Sequence, residues 1–145
     1  MSSTLSPPTA SSHPVDIGLR SQATVLAAFV QRGYQVLLPF GVNQRFDFVL
    51  MQDGEFLTAQ CKTGRLRGGA VEFNARSVQS NTKGTRFRGY EGEVDLFVVY
   101  CPDNEGVYVI PADEVPATRM YLRVEPSRNG QLKGVNWARD YELPA

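Results

Sequence analysis

Two short apolar runs separated by four polar residues constrain this chain more than anything else in it. The first is Phe46-Asp47-Phe48-Val49-Leu50-Met51 and the second is Phe56-Leu57-Thr58-Ala59-Gln60-Cys61-Lys62, joined by Gln52-Asp53-Gly54-Glu55. Asp-Gly supplies the positive φ values that a tight turn between twisted strands requires, so the runs are expected to pair as a β-hairpin. Side chains alternate faces along a strand, which puts Gln60 and Lys62 on one side and Cys61 on the other. An acid on one strand, Asp47, then faces an amide and an ammonium on the next. That combination suits holding a divalent metal against a phosphodiester.

The flanking sequence fills in an α/β pattern. Residues 1–16 are rich in Ser, Thr and Pro and read as a disordered arm. The remainder, residues 17–145, reads as one domain, since 145 residues with 42% hydrophobic content support a single core. Ile17, Leu19, Ala23, Leu26 and Val30 recur at helical spacing behind Asp16 as a cap, with Gly33 as a stop. That stripe is expected to pack on a sheet, leaving Arg20, Gln22 and Arg32 towards its polar edges. Strands are expected at 34–40, in the hairpin, at 70–75, at 94–101, at 107–110 and at 121–124. Residues 76–92 are polar, basic and glycine-punctuated, and read as a loop with at most a helical turn. Short helical turns are expected at 112–115 and 136–143, the latter packing back on the body.

At this point the chain resembles a known family. Asp47, twelve residues, then Gln60-x-Lys62 is similar to the PD-(D/E)XK nuclease motif in the variant where glutamine replaces the second acid. The likeness extends to Gly18-Leu19-Arg20-Ser21-Gln22, to Gly33-Tyr34-Gln35-Val36 before Pro39, and to Val94-Asp95-Leu96-Phe97-Val98-Val99-Tyr100. The pattern resembles the small intron-encoded homing endonuclease branch of that superfamily, from about residue 16 to 142. The resemblance implies a restriction-endonuclease-like mixed β-sheet flanked by α-helices. It implies a Mg²⁺- or Mn²⁺-dependent DNA endonuclease with Asp47, Gln60 and Lys62 as the catalytic set. The metal would be held by Asp47, Gln60 and the main-chain carbonyl of Cys61, with Gln22 at a helix position where the family commonly carries glutamate. Lys62 would orient or deprotonate the attacking water, or stabilise charge on the phosphate. Two positions depart from the pattern: both Gln22 and Gln60 stand where acids are usual, so Asp47 is the one carboxylate left. A nuclease-fold module that binds DNA or protein without cutting is therefore the alternative, and an RNA or branched-junction nuclease is a third.

Charge supports a polyanionic partner only locally. Fifteen basic residues balance fifteen acidic ones, yet Lys62, Arg65, Arg67, Arg76, Lys83, Arg86 and Arg88 fall in one stretch against Glu72 alone. Arg65, Arg67, Arg76, Lys83, Arg86 and Arg88 are the DNA-contact candidates, with Ser77, Gln79, Asn81, Thr82 and Tyr90 nearby. Cutting both strands of a duplex needs two active sites, which implies a homodimer or homotetramer. Cys61 and Cys101 lack any metal-ligand spacing and are expected as free thiols. The sole histidine, His13, lies in the polar arm, so no Ser-His or Cys-His mechanism has a base. With no bilayer-length apolar stretch and no signal-like start, the expectation is a cytoplasmic protein without membrane contact.

Overall fold

A computed structural model describes residues 4–41, 45–81, 84–88, 94–127, 129–130 and 133–145, of which 77–81 and 84–88 are described as backbone. The hairpin is present as β2 (Phe48–Gln52) and β3 (Glu55–Thr63), paired antiparallel with Gln52 opposite Glu55. Asp53 and Gly54 take φ values of 51° and 80°, the positive pair that the turn requires. β1 (Gln35–Leu37) pairs antiparallel with the free side of β2. On the other side β3 runs parallel to β8 (Leu96–Cys101), which pairs antiparallel with β9 (Gly106–Pro111). The result is a mixed five-stranded sheet in the order β1-β2-β3-β8-β9.

One face of this sheet is covered by α1 (Pro14–Gln31) and the other by a small antiparallel sheet. That second sheet, in the order β10-β5-β4, is built from β4 (Arg65–Arg67), β5 (Ala70–Asn74) and β10 (Arg119–Arg123). Val25 and Phe29 of α1 pack on Phe48, Leu50, Ala59 and Val98. Val71, Phe73, Met120 and Leu122 of the second sheet pack on Phe97, Val99 and Cys101. The chain passes between the layers at Gly64, which sits 2.7 and 2.9 Å from Val71 and Val99 when given a Cβ. Only glycine lets β3 hand over to β4 there.

The expected α/β class with a mixed sheet is what the chain forms. Among the described residues α1 is the one α-helix, so the second flank is a sheet rather than further helices. α1 also starts earlier than expected. His13, not Asp16, caps it, its side chain accepting from the Val15 N–H at 3.2 Å with Pro14 in the first turn. Residues 14–16 thus belong to the helix rather than to the arm. The stop at Gly33 is as expected: Gly33 N–H bonds Val30 O, Tyr34 N–H bonds Phe29 O, and φ is 86° at Gly33, the pattern of a Schellman motif.

The face that α1 buries differs from the stripe read in the sequence. Ser21, Val25 and Phe29 are buried, whereas Leu19 and Val30 are 65% and 58% exposed and Ala23 is exposed too. The helix is apolar over much of its circumference, so periodicity alone offers two stripes. Residues 77–81 and 84–88 also differ from the expected loop, pairing antiparallel as β6 (Ser77–Asn81) and β7 (Gly84–Arg88) with Val78 opposite Phe87. Short 3-10 turns at Ala112–Glu114 and Ala138–Asp140 match the two expected helical turns. The second packs back on the body, with Tyr141 Oη donating to Glu114 at 2.9 Å and the Val109 N–H to Tyr141 O.

Candidate functional site

Strand β3 places the site. Alternation turns Ala59 and Cys61 towards α1, and Gln60 and Lys62 towards the second sheet. In the parallel register Gln60 lies beside Phe97 and Lys62 beside Val99, whose side chains belong to the core on that side. Asp47 stands immediately before β2, at a bend. The bend is real rather than a fraying end: Phe46 packs into the core beneath the second sheet while Phe48 packs against α1, whereas a regular strand would send both the same way.

That bend carries Asp47 into a fixed position. Its N–H donates to Ala59 O at 2.8 Å, and its carboxylate Oδ2 accepts the Cys61 N–H at 2.7 Å. Here the side chain takes the place of a main-chain acceptor, satisfying a part-buried donor and orienting the acid. The Lys62 ammonium donates to the carbonyl of Arg76, just beyond β5, at 3.0 Å. Burial dominates the titration of both ionisable groups. It raises the Asp47 carboxyl above 3.8, against the Cys61 N–H and the Lys62 charge, which hold it down. It lowers Lys62 to about 8, with the Arg45 charge acting the same way and the Asp47 charge opposing. The Cys61 thiol, buried and facing α1, is pushed far up by desolvation and by the Asp47 charge, so it stays protonated.

The structure therefore gathers Asp47, the Cys61 main chain and Lys62, and puts Gln60 on the Lys62 side of the same strand. Gln22 is half-buried on α1, which covers the opposite face. Its neighbour Ser21, 2% exposed, shares a 2.6 Å hydrogen bond with Thr63 Oγ1 and ties the helix to the end of β3. Asp95 is a strand-end acceptor, its Oδ2 taking the Thr58 N–H at 2.9 Å and hydroxyl at 3.1 Å, apart from the candidate set.

Among the basic candidates, Arg65 and Arg67 are exposed on β4, directly after the site strand. Arg76 is exposed beside Lys62. Arg86 and Arg88 lie on β7, together with Ser77, Gln79 and Asn81 on β6, where only backbone is described. Lys83, Thr82 and Tyr90 lie outside the described residues. Arg45 was not singled out by sequence reasoning. It is half-buried two residues before Asp47, and its charge reaches Lys62. Its only signal in the sequence was proximity to Asp47.

The donor set is one carboxylate and neutral oxygens, all hard ligands of the kind magnesium takes. Among the described residues no group of three or more His, Cys, Asp or Glu gathers, so metal binding would rest on Asp47 with neutral donors and substrate oxygens. No helix among the described residues is long and apolar enough to cross a membrane.

A solved structure described as that of a bacterial homing endonuclease, I-Ssp6803I, shares the fold with a TM-score of 0.72. The match covers 91% of this chain and 89% of that one at 22% identity. Among curated proteins none matches the chain. A family model for PD-(D/E)XK endonuclease matches residues 12–144, which include β2, β3 and the whole candidate site. The chain belongs to the PD-(D/E)XK endonuclease family.

Proposed function

We propose that this protein is a metal-dependent DNA endonuclease whose site is Asp47, Gln60, the Cys61 carbonyl and Lys62, working as a homodimer or homotetramer. The observation that carries the reading is the Asp47–Cys61 hydrogen bond beside the part-buried Lys62, which fixes an acid and a cation on adjoining strands in this family's fold. A bound Mg²⁺ or Mn²⁺ would polarise the scissile phosphate and lower the pKa of an attacking water. Asp47 is held ready to anchor such an ion by the Cys61 N–H, and Gln60 offers a neutral amide oxygen. With Lys62 lowered to about 8, roughly a tenth of molecules carry it neutral at pH 7, enough to accept a proton from water, while the rest present a cation to the phosphate. The exposed Arg65 and Arg67 and the basic β6–β7 segment would track the DNA backbone. The free thiols Cys61 and Cys101 suit a reducing cytoplasm.

Incubation with supercoiled plasmid in Mg²⁺ or Mn²⁺, beside Asp47→Ala and Lys62→Ala, tests the reading. Expected is cleavage by the parent protein, direct conversion to linear DNA if paired sites act together, and at least about a hundredfold loss in each variant. Cleavage that survives in Asp47→Ala would remove the assignment. The second reading, a fold that binds without cutting, is favoured by one fact: glutamine stands at both positions 22 and 60. Binding without cleavage in either metal, with activity appearing in Gln22→Glu, would support it. An RNA or branched-junction substrate is distinguished by the same assay on those polymers.

A further inference from the structure

We propose that the open face of the small sheet, from Arg119 and Tyr121 across to Arg65, is a duplex-binding surface that carries DNA away from the candidate site. The inference rests on the reading above and deepens it, adding contacts on β10 that lie far along the chain from the motif. Alternation sorts this sheet into two sides. Val71, Phe73, Met120 and Leu122 belong to the core, so Arg65 and Arg67 of β4, Glu72 of β5, and Arg119 and Tyr121 of β10 fall on the outer side. The register sets Arg65, Glu72 and Tyr121 in one row across the three strands, with Arg119 two residues along β10, opposite Asn74. Arg65 and Arg67 are exposed, and Tyr121 is 49% exposed. Arg119 is half exposed, with its Nη1 3.3 Å from Oε1 of Glu72, whose side chain is 18% exposed. Three guanidiniums thus stand around one recessed acid. Arg123 shares the outer side but turns its guanidinium to the carbonyls of Glu125 and Pro126, which closes the end away from the site.

The open part of this face begins at the site. Arg76 O, which takes the Lys62 ammonium, follows Asn74 by two residues, and Asn74 is the cross-strand partner of Arg119. That end is pinned, since the Arg76 N–H donates to Asn74 Oδ1 at 2.8 Å and the Ala75 N–H to Thr118 O at 2.8 Å. Same-face residues recur roughly every 7 Å along a strand, so a polymer seated at Lys62 meets Arg119 first and Tyr121 next. Guanidinium and hydroxyl donors suit phosphate oxygens, which such side chains hold without reading sequence. In its sheet β10 is an edge, where charge also serves to deter strand pairing, and a duplex titration separates the two roles.

The test is fluorescence anisotropy of a labelled mixed-sequence duplex titrated with the full chain in EDTA, over a series of salt concentrations. Without metal the measurement does not depend on cleavage. Expected in Arg119→Gln is a severalfold weaker affinity and a slope of log affinity against log salt that is flatter by about one. Arg119→Lys keeps the charge and loses the fork towards Glu72, so it should retain most of the slope, which a merely structural ion pair would not. Tyr121→Ala should weaken binding with the slope unchanged, and Glu72→Gln, which removes the repelling charge, should tighten binding severalfold. Arg20→Gln makes the same charge change on α1, across the main sheet, and should match the parent. Parent affinity and slope in Arg119→Gln overturn the inference, as do an equal loss in Arg20→Gln and a parent protein that binds no duplex at about 50 mM salt. Plasmid cleavage decides the reading above separately. Cleavage lost in Asp47→Ala while Arg119→Gln binds like the parent removes this surface alone, and weakened binding in Arg119→Gln without cleavage by the parent keeps the surface and removes the endonuclease.

Discussion

Asp47 and Lys62 are both held against their ionisation preferences, which costs stability. Burial leaves the acid harder to ionise and the lysine easier to neutralise than in the unfolded chain. For Lys62 the sign follows from proton counting. The folded protein loses the proton near pH 8 and the unfolded chain near 10.5, so between those values the unfolded state binds more protons. Stability from this group therefore rises with pH across that window and is flat below it. The Cys61 thiol, held up on folding, acts the other way above about pH 9, so the rise is read as the difference in urea unfolding between metal-free parent and Lys62→Met; parallel pH profiles for the two would contradict the burial of Lys62. How much of this site is legible in the sequence depends on the residue. Gln60 and Lys62 could be placed because strand alternation is a strict rule, and Asp47 because it adjoins the same hairpin. Arg45 could not, because the bend between Phe46 and Phe48 breaks that rule just beyond it.

At the scale of elements, β3 does two jobs, presenting the site in one sheet and handing the chain to the next. The joint is Gly64, buried and too close to Val71 and Val99 to carry a side chain. These contacts are with branched side chains near their own backbones, which cannot swing away. Gly64→Ala should cost about 1–3 kcal/mol in urea unfolding, and an unchanged midpoint would show that the layers separate easily. The sequence announced β2, β3 and their turn because Asp53-Gly54 and the apolar runs agree. It did not announce which side of α1 goes inward. Leu19, Ala23 and Val30 make as good a stripe as Ser21, Val25 and Phe29, and the choice falls to packing. Ser21 wins a buried place through its bond to Thr63, which no hydrophobic count registers. The β6–β7 hairpin was hidden for a related reason: its strands are polar enough to resemble a loop.

For the molecule as a whole, zero net charge means that attraction to DNA depends on where the charges lie. Arg65 and Arg67 follow the site strand, and Arg86 and Arg88 sit on the hairpin beyond β5. If the hairpin lies on DNA, Arg86→Ala/Arg88→Ala should weaken binding and flatten the log affinity against log salt slope by about one to two. An unchanged slope in a fluorescence anisotropy titration would take the hairpin off the interface. The fold itself was legible at this scale because the order of helix, strand, hairpin and late apolar strand is distinctive. The small sheet was legible only in part: strands near β5 and β10 were expected, but β4 is three residues long and β10, which pairs with β5, lies far along the chain.

Asp47 and Lys62 bracket sixteen consecutive residues, and the bond that orients the acid closes inside that one hairpin. The candidate site is consequently carried mostly by one hairpin, which the parallel pairing with β8, the packing of α1, the Ser21–Thr63 bond and the tether from Lys62 to Arg76 hold to the rest of the fold. Were the site to act as proposed, a change in the surfaces around that hairpin could alter which polymer is admitted while leaving the Asp47–Cys61 bond in place.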